Sequence, residues 1–286
     1  MTRVDLAIVP MLQSLDISLQ TFESVAGASL REHPIQNQLP LGVFEQAIGD
    51  PGRYPEGVRL FAVLDASTVD IGVALQTPPY KVLVSVATAG IATELGRRFA
   101  ACHPDVRQVQ GPDVAAWAFA DGAGASPGRL VAHEGLHALH SVRSVPRPEG
   151  HVRVAVPEDG AVLQSWLDAF VAEALPAGHP KDARGGVRLA ASGRAWLWIA
   201  RDGTPVAMAC NPRRVGGWHA VGPVYTPPER RGRGYATGLV ASVTELALAS
   251  GAKGCTLFTN LANPTSNRIY ERIGYERIGI YDTVAW

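Results

Sequence analysis

Residues 224–237 read VYTPPERRGRGYAT, and no other stretch restricts the possible folds of this chain as much. A β-forming run, two prolines, three arginines and two glycines lead directly into a helical sequence. Pro227 and Pro228 have no N–H with which to continue a strand ladder, and Gly232 and Gly234 reach backbone conformations closed to other residues. A strand, loop and helix N-terminus in this order point successive backbone N–H groups into one concavity, where the helix dipole favours negative charge. The loop is therefore a candidate cradle for a phosphate or pyrophosphate. Arg230, Arg231 and Arg233, set against Glu229 alone, make it locally basic. It lacks the Gly-Lys-Ser/Thr ending of a Walker loop, and it lacks the third glycine and later acidic residue of a dinucleotide fingerprint.

That basic patch sits in a neutral chain, with 26 Lys and Arg balancing 26 Asp and Glu. No overall field draws the molecule to nucleic acid or an anionic membrane, so neither is expected as a partner. The 286 residues are enough for about two domains, and 47% apolar content describes a globular chain. Cys102, Cys210 and Cys255 lie too far apart in sequence for a C-x-x-C knuckle and read as free thiols. Asp5 and Pro10 interrupt the N-terminal apolar run, and no eighteen-residue apolar stretch occurs. A cytoplasmic protein is expected.

Pro146, Pro148 and Gly150 within residues 141–151 mark a junction, giving domains 1–145 and 146–286. The second domain reads as a strand at 151–156, then a helix capped by Asp159 with apolar residues Leu163, Trp166, Leu167, Phe170, Val171 and Ala174. Two strands follow over 195–210 around Asp202 and Gly203, then a third over 218–226. A helix over 236–250, with Leu239, Val243, Leu246 and Ser250 on one face, ends at Gly251. A strand at 255–260, a short helix at 264–273 and a last strand at 276–286 complete the order β-α-β-β-β-α-β-α-β. The first domain repeats nearly the same order about 140 residues earlier, which suggests an internal duplication.

Arg231-Gly232-Arg233-Gly234-Tyr235-Ala236 resembles the R/Q-x-x-G-x-G/A loop of the GNAT superfamily of acyl-CoA-dependent N-acyltransferases. Residues 263–275, NPTSNRIYERIGY, are similar to the same superfamily's N-x-x-A/S-x-x-x-Y-x-x-x-G-F/Y segment, with Asn263, Ser266, Tyr270, Gly274 and Tyr275 at matching places. The resemblance covers residues 151–286. It implies an α/β (α+β) fold of two GNAT-like domains, each a mixed, mostly antiparallel sheet flanked by helices. It also implies acetyl-CoA as cosubstrate, without a metal. Its pantetheine arm would lie along Val224, Tyr225 and Thr226, its pyrophosphate in the loop from Arg231 to Ala236, with Asn263 and Ser266 also on the cofactor side. The reaction implied is direct attack of a primary amine on the thioester, with Tyr270 protonating the departing thiolate. The first domain has no matching glycine loop after its KVLVSV strand and no matching tyrosine, so it reads as a degenerate copy without a coenzyme site.

A base must deprotonate the amine, and His219, Glu173, Asp168, Asp282 and the Trp286 carboxylate are open candidates. Trp166, Phe170, Trp196, Trp198 and Trp218 offer aromatic walls that slightly favour a small-molecule amine over a protein as acceptor, with core packing as the commoner use of such residues. Two other readings compete. One is a non-enzymatic acyl-CoA-binding module. The other is a zinc hydrolase built on His133-Glu134-Gly135-Leu136-His137, a literal H-E-x-x-H; the duplicated order places that segment on a closing strand, not on the helix such a site needs.

Overall fold

The computed structural model describes residues 12–13, 19–50, 52–65, 70–124, 127–176 and 179–286. Packing divides the chain into two compact units, Met1–His133 with Ile280–Trp286, and Glu134–Gly279. Among the described residues no helix is long and apolar enough to cross a membrane.

The first unit contains β1 (Leu12–Gln13), α1 (Leu19–Glu32), α2 (Gln38–Gly49), β2 (Arg59–Asp65), β3 (Asp70–Gln76), β4 (Val82–Val84), α3 (Ala89–Cys102), β5 (Gln108–Pro112), α4 (Asp113–Gly122) and the start of β6 (Arg129–Leu139). Strands β1 to β5 form one sheet in chain order, closed by residues 281–285 of the C-terminal strand running antiparallel to β5. Only the β4–β5 pair is parallel. Helix α3 begins at Thr88, whose side chain accepts from the Ile91 N–H, and its i, i+4 residues Ile91, Leu95 and Phe99 are buried against Phe61, Val109, Phe119 and Val284. Helices α3 and α4 approach through glycine: a Cβ on Gly96 would lie 1.9 Å from the Phe119 carbonyl oxygen, and one on Gly122 would lie 2.0 Å from that of Thr93.

The second unit holds the end of β6, β7 (His151–Val154), α5 (Gly160–Ala174), α6 (Gly185–Ala191), β8 (Ala195–Ile199), β9 (Pro205–Cys210), β10 (Arg214–Val215), β11 (Trp218–Ala220), β12 (Val224–Tyr225), α7 (Tyr235–Ala249), β13 (Gly254–Asn260), α8 (Pro264–Ile273) and the start of β14 (Glu276–Ala285). Its strands form two sheets, β12-β9-β8-β7, all antiparallel, and β6-β13-β11-β10, in which only β11–β13 is parallel. Helices α5 and α6 cover β8, β9 and Tyr225 of the first sheet through Leu163, Ala190, Leu197 and Met208. Helix α7 packs on the opposite face, where Leu239, Val240 and Val243 meet Trp196, Trp198 and Ala207.

Mixed α/β layers and a shared order of elements in both units agree with the expected fold class, and the differences are instructive. The units do not divide at residue 145/146. Residues 134–139 of β6 pair with β13 in the second unit, and residues 281–285 of β14 pair with β5 in the first. Alternating apolar residues mark a strand, but they do not say whose sheet it joins. Helices α1, α2 and α6 had no counterpart in the sequence reading. Asp159 precedes α5 as expected, yet its carboxylate turns back to the Val156 N–H and Arg153 in place of capping α5. On α7, Leu246 is 47% exposed and Val240 takes a buried place instead.

Candidate active site

The run 218–226, read as one strand, is two strands in two sheets. Residues 218–220 pair in parallel with 254–256 of β13, and the Val221 N–H still reaches the Thr256 carbonyl at 2.7 Å. At Gly222 (φ 138°) and Pro223 the backbone leaves β13, and Val224 and Tyr225 pair with Ala209 and Met208 of β9. A gap therefore opens between β12 and β13, and β12 presents an edge without a strand partner among the described residues. An unpaired edge of this kind accepts an extended, amide-bearing ligand as an added strand. Val224 and Thr226 are half-buried along it.

Beyond β12 a single 3₁₀ turn, Pro228–Arg230, leads into the glycine loop. Gly232 (φ 75°) and Gly234 (φ 79°) are both left-handed, and Gly234 is the residue before α7. A Cβ on either would meet nothing within 4 Å, so these positions need glycine for conformation, and the space above them is open. The N–H groups of Gly232, Arg233, Gly234, Tyr235 and Ala236 have no partner among the described residues; the first bond into the helix is from Gly238 N to Gly234 O. Five successive donors at a positive helix end form an anion nest. The Thr226 Oγ1 is also buried without a partner, at the point where the strand edge meets the loop. These features fit a diphosphate joined to an amide-bearing arm, the makeup of coenzyme A. Arg231, Arg233 and the two glycines are exposed, and Tyr235 and Ala236 half-buried.

Arg231 is turned away from this nest. Its Nε donates to the Thr226 carbonyl at 2.9 Å, its Nη2 to Glu173 Oε2 of α5 at 2.6 Å, and its guanidinium lies 5.6 Å from the Tyr225 ring centroid. The Tyr225 hydroxyl donates to the other Glu173 oxygen at 3.1 Å, and burial followed by this bond raises its pKa. Tyr225 is thus a wall facing α5. The role of Glu173 as a strut was not visible in sequence, because 58 residues separate it from Arg231.

Helix α8 starts at Asn263, whose side chain accepts from the Ser266 N–H at 3.1 Å, and stops at left-handed Gly274. Asn263 and Ser266 are brought together as a helix cap. Tyr270, on the same helix, packs beside Tyr275 with ring centroids 6.1 Å apart. Burial pushes its phenol up to about 12, so it holds its proton throughout the neutral range.

The base candidates separate. Both oxygens of Glu173 are engaged, and Asp168 accepts from Gln164. His219 Nδ1 lies 3.2 Å from the Asn211 amide, and burial, with Arg214 and Arg194, lowers its pKa. Asp282 and Trp286 belong to the first unit, where Asp282 is bound by His133 and Trp117 at 2.7 Å each. His133 and His137 both lie on β6, as the duplicated order anticipated. Four residues along a strand set them about 13 Å apart, too far to share one zinc ion.

In the first unit the corresponding strand end and loop differ at three points. The Val86 N–H, just past β4, is bound by Asn37 Oδ1 at 2.8 Å, and Thr88 caps α3. A Cβ on Gly111 of β5 would come within 2.3 Å of Val84 Cγ1, so β4 and β5 stay close where the second unit's strands diverge.

Residues 161–275 match the acetyltransferase (GNAT) family. No curated protein matches the chain. Among solved structures, a GCN5-related N-acetyltransferase from Sphaerobacter thermophilus is similar with a TM-score of 0.65 and 16% identity, over 96% of this chain and 94% of that one. An acetyltransferase of the GNAT family from Colwellia psychrerythraea gives 0.61 and 11%, over 97% and 100%. A tandem GNAT protein from the clavulanic acid biosynthesis pathway gives 0.59 and 13%, over 97% and 98%.

Proposed function

With a GNAT-family domain at residues 161–275 as the premise, we propose that the second unit transfers an acetyl group from acetyl-CoA to the primary amine of a small molecule. The observation that carries this reading is the run of unpaired N–H groups from Gly232 to Ala236 at the mouth of the β12–β13 gap. Acetyl-CoA supplies the thioester that a neutral amine attacks. The nest amides would hold the diphosphate, the free edge of Val224, Tyr225 and Thr226 would align the arm, and the Tyr270 hydroxyl would hold the proton needed by the departing thiolate. The first unit, whose Val86 N–H is taken by Asn37 and whose corresponding loop has no left-handed glycine pair, serves as a copy without a coenzyme site.

Titration calorimetry with acetyl-CoA tests this, on the wild type and on the paired variant Arg231→Ala, Gly234→Ala, together with a thiol-release assay over an amine library. Binding at one site per chain that the variant loses, with amine-dependent thiol release, is the expected result. Binding without release for any amine favours an acyl-CoA-binding module, and absence of binding removes the transferase reading.

A further inference from the structure

Acyl transfer leaves the histidines of the H-E-x-x-H segment without a task, and the second of them lines a cavity of about 500 Å³ within the second unit. His137 is 4% exposed. Its Nδ1 lies 3.1 Å from the Gly135 carbonyl, which can only accept, so Nδ1 carries the proton and Nε2 keeps a lone pair. Gly135 is what admits this ring, since a Cβ there would lie 2.7 Å from His137 Cε1 and 3.2 Å from Arg277 Cδ. Asn267, on the same cavity wall, donates from Nδ2 to the carbonyls of Asn260 and Leu261, which fixes its orientation and leaves Oδ1 buried with no partner. Glu271 and Arg277 also line the cavity, both close enough to His137 to act on its charge, and neither side chain has an ion-pair partner among the described residues. Arg143 stands at the wall, bound to the Glu271 carbonyl and to Glu276.

We propose that this cavity binds a free α-amino acid, with its ammonium on His137 Nε2, Asn267 Oδ1 and the Glu271 carboxylate and its carboxylate on Arg277. Three acceptors call for a group with three N–H donors, which an ammonium has. A simple anion would meet two lone-pair acceptors and a carboxylate, and a simple amine would leave the Arg277 guanidinium unanswered; a zwitterion satisfies both sides. The volume lies in the range of small-molecule sites. The inference stands apart from the acyl-transfer reading, since it uses none of the loop or gap residues.

The test is titration calorimetry of the full chain with each of the twenty proteinogenic amino acids singly, without acetyl-CoA. At least one should bind one per chain with Kd below about 1 mM. Its decarboxylated amine and its deaminated acid should each bind at least about 10-fold more weakly. Arg277→Gln and Glu271→Gln, both at exposed positions, should each weaken binding about 10-fold at an unchanged melting temperature. Absence of binding by all twenty up to about 10 mM overturns the proposal. So does a deaminated acid that binds as well as its parent, or binding indifferent to both variants.

Discussion

Arg231 Nη2 donates to Glu173 Oε2 at 2.6 Å, so the arginine of the proposed anion-binding loop is held by α5 and its charge is partly cancelled before any ligand arrives. Both side chains are nearly half exposed, which makes the pair a weak contributor to stability. Glu173→Gln should leave the melting temperature nearly unchanged while tightening acetyl-CoA binding several-fold at low salt. Raising salt to about 0.5 M should shrink that gain. Calorimetry at two ionic strengths reads both, and weaker binding at low salt would mean that Arg231 is needed in its present place.

Gly234→Ala forces a side chain into φ 79°, at about 1–2 kcal/mol of local strain although the space is open. The loop relieves that strain by rotating its amides. Acetyl-CoA affinity should fall at least about 10-fold, with the far-ultraviolet circular dichroism unchanged.

Tyr270→Phe should lower kcat by about 10²-fold with little change in KM for acetyl-CoA, as expected for a proton donor rather than a binding group. Because the phenol is raised from 10 to about 12, it remains protonated through any practical assay range, and an alkaline limb in the wild-type kcat profile has another origin. The same shift means its stabilising share is complete below pH 10 and is lost as pH rises towards 12. A pH–rate series on both proteins separates these effects.

Asp159 accepts from Arg153 at 2.6 and 2.9 Å and from the Val156 N–H at 2.8 Å, and these contacts, Arg153 first, hold its pKa below the ordinary 3.8. A depressed carboxylate stabilises the fold above its unfolded value and loses that share as pH falls through the folded one. Asp159→Asn should cost about 2 kcal/mol at neutral pH, and the deficit should narrow below pH 3.8. Urea denaturation at neutral and acidic pH measures it.

Gly96→Ala places a methyl group within 1.9 Å of the Phe119 carbonyl, and helices α3 and α4 must separate to accept it. A loss of about 1–3 kcal/mol is expected from overpacking, readable as a lower denaturation midpoint.

The sequence by itself determined the local chemistry. Gly232 and Gly234 announced a left-handed loop, the arginines its charge, and the spacing to Asn263 and Tyr270 the helix that follows one strand later, because such signals act over one or two turns of chain. Most strands of both units, and the strand that carries His133 and His137, were legible for the same reason: alternation of apolar residues reports a half-buried ribbon. Only the tertiary structure decided which ribbons pair. The break of 218–226 into two sheets, the return of residues 281–285 to β5, the grip of Glu173 on Arg231 and the cavity around His137 join residues far apart in sequence. Such pairings depend on how whole faces pack against one another, and no short window of sequence encodes them.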